Sequence, residues 1–148
     1  MKYYSVLQQS QKDCGAASLA TVAKYYGRTF ALKRVRDAAD TGAQGTTLLG
    51  LRRGAELLGF HTRQVQATSE FLEKLDEVLL PTIIHWKCCH WVVFYGKKGN
   101  KYVISDPAVG IRYLTTKELI EGWSNGIMLL LLPDDSRFYE QLEVELIF

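Results

Sequence analysis

"QKDCGAASLATVAKYYG", residues 11–27, decides how the chain is read. From residue 14 onward Ala, Leu and Val recur at helical spacing, with Asp13 ahead as an N-cap and Gly27 behind as a stop. A helix is therefore expected over 14–26, with Cys14 in its first turn. A cysteine in that place has two readings. It is a small apolar residue packed in a core, or a thiolate favoured by the unpaired N–H groups and positive dipole end of the helix. The helix alone leaves both open.

Working outward, helices are expected over 31–39 and over 47–58, where Leu48, Leu51, Ala55 and Leu58 line one face before Gly59, with a weaker one over 68–78. After Pro81 the pattern changes. "TIIHW" (82–86), "HWVVFYG" (90–96), "KYVISD" (101–106) and "IRYL" (111–114) are short, rich in β-branched and aromatic residues, and separated by turn clusters. "GKKGN" (96–100) reads as a hairpin turn and "DPAVG" (106–110) as a second turn. A short helix over 115–123 and a strand over 126–132 complete the layout. The expected fold class is α+β, with a helical N-terminal half packed on an antiparallel sheet in the C-terminal half. The domain is expected to occupy 1–133, with 134–148 as a tail or linker.

The chain has 148 residues, enough for one domain with a real core. With 47% hydrophobic residues, 23% charged residues and a net charge of +2, it is neither a disordered nor a nucleic-acid-coating sequence. The basic runs "LKRVR" (32–36) and "RRG" (52–54) read as solvated helix faces. Cys14, Cys88 and Cys89 are odd in number and two are adjacent, which is no disulfide framework and points to a reducing, cytosolic compartment. The N-terminus lacks a signal-peptide core. "GIMLLLLP" (126–133) is far shorter than the ~20 residues that span a bilayer and reads as a buried strand.

Cysteine catalysis needs a thiolate, a base, a group that orients the base, and donors for the developing oxyanion. The chain offers one residue for each: Cys14 at a helix start, His90 opening a strand, Asp106 ending the next strand across a hairpin, and Gln8 six residues before the cysteine. If the strand register allows, Asp106 fixes the imidazole tautomer, and Gln8 donates to the oxyanion beside the Cys14 N–H. Each residue also has a plain reading: core cysteine, packed strand histidine, Asp-Pro turn starter and surface glutamine. "HWKCCH" (85–90) gathers two His and two Cys, but adjacent cysteines on an extended segment point to opposite faces and the C-x₂₋₄-C spacing is absent. No metal and no cofactor are expected, and one of Cys88 and Cys89 is expected to be an oxidation-prone thiol. His61 reads as an ordinary strand residue.

Taken together, Q-x-x-x-x-D-C-G at Gln8–Gly15, H-W-V-V at His90 and D-P at Asp106 resemble the C39 peptidase domains of bacteriocin-processing ABC transporters, over nearly the whole chain. The resemblance implies a papain-like fold, with Cys14 as nucleophile, His90 as general base and later acid, Asp106 as the residue orienting His90, and Gln8 as an oxyanion-hole donor. It implies removal of a leader from a precursor peptide after a double-glycine-type motif. The implied partners are that helical leader and the membrane and ATP-binding parts of a transporter, on the cytoplasmic side of a bacterial membrane. The resemblance also carries a second reading, because some members lack the cysteine and only dock substrates; here Cys14 is present. A narrow channel would select glycine, and Trp86, Trp91 and Tyr95 are wall residues by type. Gly15 and the alanines after it are expected to let a substrate backbone approach the sulfur.

Overall fold

In the computed structural model, which describes residues 1–141, helix α1 (Cys14–Tyr25) runs through the interior, and every residue from Cys14 to Ala23 is buried. A helix surrounded on all sides needs small side chains. Ala16, Ala17, Ala20 and Ala23 provide them. Gly15 shows how close the packing is: a Cβ there would sit 2.9 Å from Thr46 Cβ and 3.2 Å from Leu51 Cδ2. The smallness of Gly15, Ala16 and Ala17 therefore serves contact with the protein's own core, which corrects the expectation that they face a substrate.

Around α1 stand α2 (Leu32–Ala38) and α3 (Leu48–Leu57), the latter capped by the Thr47 hydroxyl, which accepts from the Gly50 N–H at 3.0 Å. The strands are β1 (Phe60–Gln66), β2 (Thr82–Trp86), β3 (His90–Lys98), β4 (Lys101–Asp106), β5 (Gly110–Leu114) and β6 (Trp123–Pro133). They form one antiparallel sheet in the order β1-β6-β2-β3-β4-β5. The α+β expectation stands. The sheet also draws β1 from the N-terminal half, paired with the distant β6 through Phe60 opposite Pro133 and Gln66 opposite Ile127.

The sheet is buried on both faces, which is why its central strands read as continuous apolar runs. In β3, Trp91, Val93 and Tyr95 join the core around α1, while Val92 and Phe94 point into a second core with Ile84, Ile104 and Met128. That second core is covered by α4 (Thr116–Gly122) through Leu119 and by the segment Ser69–Glu77 with its neighbours. The covering segment was expected as an α-helix and is instead 3₁₀, interrupted at Lys74. Its Phe71, Leu72 and Leu75 pack on the sheet, and the backbone leaves helical geometry at Lys74 (φ −117°, ψ 27°), so no continuous α-helix forms.

Helix α5 (Asp135–Tyr139) follows β6, with Asp134 accepting the N–H groups of Ser136 at 3.1 Å and Arg137 at 2.9 Å. Its Phe138 is fully buried against Phe60 and Phe30, with ring centroids 4.7 and 6.0 Å away. This part of the expected tail packs on the core. Residues 142–148, the rest of that tail, lie outside the described residues. No described helix is long and apolar enough to cross a membrane.

Candidate active site

Cys14 is the first residue of α1 and is 4% exposed. The chain reaches it through a single 3₁₀ turn, Gln11–Asp13, preceded by an irregular segment. Two contacts set the helix against β3: the Ser18 hydroxyl donates to the Trp91 carbonyl at 3.1 Å, and the Trp91 indole N–H donates to the Thr46 carbonyl at 2.9 Å. The residue after His90 is thereby tied to α1 and to the loop that touches Gly15.

His90 opens β3 after the tight turn 87–89, whose Lys87 and Cys88 have φ of 46° and 64°. Such positive values are uncommon outside glycine. The turn is anchored by the Lys87 N–H on the Gly122 carbonyl at 2.7 Å. Gly122 is also where Trp86 packs, since a Cβ there would come within 2.3 Å of the indole ring. The Cys88 and Cys89 sulfurs are joined to each other in a disulfide inside this turn, where free thiols were expected.

The register explains how Asp106 meets His90. Val93 lies opposite Ser105, which sets Asp106 across from Val92 and makes it the diagonal same-face neighbour of His90. The side chains meet with His90 Nε2 2.6 Å from Asp106 Oδ1, a charge-assisted distance. Asp106 Oδ1 also accepts the Ala108 N–H at 2.9 Å, and Arg112 Nη1 stands 3.9 Å from Oδ2. Asp106 holds Nε2, which leaves Nδ1 for the sulfur, and the His90 side chain is hydrogen-bonded to Cys14. The three residues singled out in the sequence come together.

Their electrostatics follow from this geometry. Burial alone would lower the His90 pKa, but the hydrogen bonds to Asp106 and Cys14 and the negative charge at both raise it to about 9. Burial likewise works against the Asp106 charge; the hydrogen bonds from His90 and the Ala108 N–H, with the charges of His90 and Arg112, outweigh it and hold the carboxyl below its ordinary range. An imidazolium between a carboxylate and a sulfur is thus the stable state at neutral pH. Nucleophile, base and orienting carboxylate in this arrangement are what acyl transfer through a thioester requires.

Gln8 sits on the segment leading to Cys14 and is anchored beside Asp106, its N–H donating to the Pro107 carbonyl at 2.9 Å. Its side-chain Oε1 is buried without a hydrogen-bond partner among the described residues. Asp13 departs from expectation. It makes no capping bond to α1, and its carboxylate turns back to accept the N–H groups of Gln9 at 3.2 Å and Ser10 at 3.0 Å. Arg36 of the "LKRVR" run, though partly open to solvent, is not a free surface charge; its Nη1 lies 3.2 Å from Asp13 Oδ2. Lys33 and Arg52 do lie on open faces, paired with Asp37 and Glu56 four residues on. His61 also has a partner unseen in sequence, Asp134 Oδ2 at 2.9 Å.

Of the three aromatic wall residues, only Trp91 borders an opening. Tyr95 is turned away, its hydroxyl bonded to the Tyr4 N–H and carbonyl, and Trp86 is in the second core. The cleft at Trp91 is lined by Thr46, Thr47, His85 and the Cys88–Cys89 turn. Thr46 abuts Gly15 and Trp91 follows His90 in β3, while Cys14 and His90 themselves are not among the residues that line the cleft. His85 stacks on Trp91 at 4.5 Å, and burial lowers its pKa, keeping it neutral. Sequence reasoning had no signal for Thr46, and it met His85 only within "HWKCCH", as a metal reading that was set aside.

Comparison with known proteins agrees with this geometry. Residues 2–136 match the model of the Peptidase C39 family. The chain is 34% identical over 139 residues to the colicin V secretion/processing ATP-binding protein CvaB of Escherichia coli, covering 94% of this chain and 19% of that protein. It is 36% identical over 132 residues to the transport/processing ATP-binding protein ComA of Streptococcus pneumoniae, covering 85% and 18%. The chain thus spans about a fifth of the length of the curated relatives it matches. Among solved structures, the peptidase domain of Streptococcus ComA superimposes with a TM-score of 0.83 at 33% identity, covering 90% of this chain and all of that one. A double glycine motif protease from an AMS/PCAT transporter, solved with its leader peptide, gives 0.82 at 32% identity, covering 90% and 93%. The fold is accordingly the papain-like one of these domains, and the chain belongs to the peptidase C39 family, a family of cysteine peptidases.

Proposed function

We propose that the protein is an endopeptidase that removes the leader from a ribosomally made precursor peptide of the bacteriocin or lanthipeptide type, cutting after a double-glycine-type motif. The observation that carries this reading is His90, bonded to Asp106 at 2.6 Å and raised in pKa by both Asp106 and the Cys14 side chain at the head of a buried helix. The Cys14 thiolate attacks the carbonyl carbon of the motif's second glycine. Its negative charge passes to the carbonyl oxygen, which the Gln8 amide and the Cys14 N–H stabilise. As the tetrahedral intermediate collapses, the C–N bond breaks and His90 gives its proton to the departing amine, leaving a thioester. Water then attacks, His90 accepts its proton, and the C–S bond breaks to release the leader and restore the ion pair. Asp106 keeps the ring in register throughout.

Two relatives support the substrate class: CvaB carries secretion and processing in its name, and the AMS/PCAT protease was solved with a leader peptide. The domain works on the cytoplasmic side of the bacterial membrane, where ribosomes make the precursor, and its partners are the leader and the transmembrane and ATP-binding domains of the transporter. Residues 1–133 supply the peptidase unit and 134–148 the connection toward the membrane region, with α5 still packed on the unit. The test is incubation with a precursor peptide, with the cut located by mass spectrometry. Cleavage after the two-glycine motif by the native protein and none by Cys14→Ala is the expected result. Equal cleavage by the variant removes Cys14 from the mechanism, and binding without cleavage by either protein makes the domain a docking module.

A further inference from the structure

Asp13 is fully buried, yet it neither caps α1 nor touches a substrate-facing atom in the mechanism above. Its Oδ2 accepts the N–H groups of Gln9 and Ser10, at 3.2 and 3.0 Å, and receives Arg36 Nη1 at 3.2 Å. The same Arg36 nitrogen reaches Gln9 Oε1 at 3.3 Å. These contacts converge on the two residues that follow Gln8. On its other side, Gln8 is held by its own N–H on the Pro107 carbonyl at 2.9 Å, next to Asp106.

The segment needs such tethers. Residues 1–10 form no helix or strand; before Gln8 the chain is held by Val6, packed on the core with its N–H on Thr21 Oγ1 at 3.0 Å, whereas Leu7, Gln9 and Ser10 are exposed and, after Gln8, the Asp13 and Arg36 contacts hold it. Part of the arrangement is local, since Asp13 closes a capping box with Ser10 around the 3₁₀ turn, but this does not account for the pair with Arg36. Asp13 Oδ1 is buried without a hydrogen-bond partner among the described residues, and a buried carboxylate left half-satisfied is a cost to folding. What the pair does provide is geometry: one carboxylate oxygen, locked by a guanidinium from α2, sets two consecutive peptide groups.

We propose that Asp13 and Arg36 are positioning residues for the oxyanion site: they fix the backbone of residues 9–10 so that the Gln8 amide meets the oxygen that becomes negative when Cys14 attacks. The proposal rests on the peptidase reading and extends it to two residues that reach the reaction only through Gln8. Oxyanion stabilisation depends on donors already in place, so small displacement of Gln8 lowers turnover without changing how the leader binds.

The experiment is a double-mutant cycle on precursor cleavage, with Gln8→Ala, Asp13→Asn and Arg36→Gln alone and each of the last two combined with Gln8→Ala. Arg36 is partly open to solvent, so Arg36→Gln stands as the second variant if Asp13→Asn does not fold, as read by circular dichroism and thermal unfolding. The expected result is a kcat loss of about tenfold to a hundredfold for each positioning variant with KM nearly unchanged, shrinking to less than about threefold once Gln8 is alanine. Arg36→Lys, which keeps the charge, retains more turnover than Arg36→Gln. If Gln8→Ala lowers kcat but the Asp13 and Arg36 losses are as large in its background as alone, the proposal is overturned while the peptidase reading stands. If Gln8→Ala leaves kcat unchanged, the oxyanion role of Gln8 falls, and the proposal with it. If KM carries the loss, the pair serves substrate binding and the proposal is wrong.

Discussion

Replacing Asp106 by asparagine keeps the shape of the side chain and removes the charge that His90 meets at 2.6 Å. In the native protein His90 is raised to about 9 although burial opposes this, and the Asp106 hydrogen bond leads the contributions that raise it. At pH 8 a histidine with a pKa of about 9 is about 90% imidazolium, whereas one returned to the ordinary ~6.5 is about 3% protonated. Loss of the carboxylate therefore removes about thirtyfold of the imidazolium at pH 8 but almost none at pH 6, where His90 remains mostly charged in both proteins. Any misorientation of the ring adds a loss that is the same at both pH values. The assay is kcat/KM for precursor cleavage from pH 5.5 to 10, which reports the free enzyme. The native alkaline limb is expected near pH 9, and that of Asp106→Asn near 6.5 to 7. Stability moves with it: because the folded pKa is raised, the native ion pair stabilises fully below about 6.5 and its contribution disappears as pH rises through about 9. An Asp106→Asn deficit of equal size at pH 6 and pH 8, or an unmoved alkaline limb, would refute the reasoning.

Gly15→Ala places a Cβ 2.9 Å from Thr46 Cβ, and overpacking of this kind costs about 1–3 kcal/mol, to be read as a lower unfolding midpoint in urea. Turnover is expected to fall as well, since the displaced helix start carries Cys14; an unchanged midpoint counts against the close packing. Phe138→Ala empties a fully buried site between Phe30 and Phe60 and is expected to lower stability by about 3–5 kcal/mol. A loss within about 0.5 kcal/mol, the range of surface substitutions, would mean that α5 is not part of the folded unit.

The candidate trio of Cys14, His90 and Asp106 was legible because its signals are local. A helix start marks Cys14, a strand start marks His90, and an Asp-Pro turn closes the strand that carries Asp106; only the register between β3 and β4 had to be supplied by the fold. The strands at 82–86 and 101–106 were legible from their apolar runs, because both faces of the sheet are covered. What escaped was non-local or geometric. β1 alternates between open and half-buried positions and gains its place by pairing with β6, some sixty residues away. The 3₁₀ geometry over Ser69–Glu77, broken at Lys74, packs on the sheet beneath it. Asp13 carried the signature of a cap, and nothing in sequence shows that Arg36, on another helix, turns its carboxylate backward. Gly15 had the composition of a substrate-facing residue and the environment of a packed one.

The central claim is that Cys14, at the head of α1 and paired with His90, is the nucleophile that meets the carbonyl of the second glycine of a double-glycine motif. A leader-derived peptide ending in Gly-Gly-chloromethyl ketone places its ketone where that carbonyl would lie and an alkylating methylene beside it, where the leaving nitrogen would be. Peptide mapping by mass spectrometry after incubation with equimolar reagent is expected to find a thioether at Cys14 and none at Cys88 or Cys89, with loss of precursor cleavage in proportion. An inactivated protein whose Cys14 is unmodified, or one fully alkylated at Cys14 that still cleaves its precursor, would contradict the account.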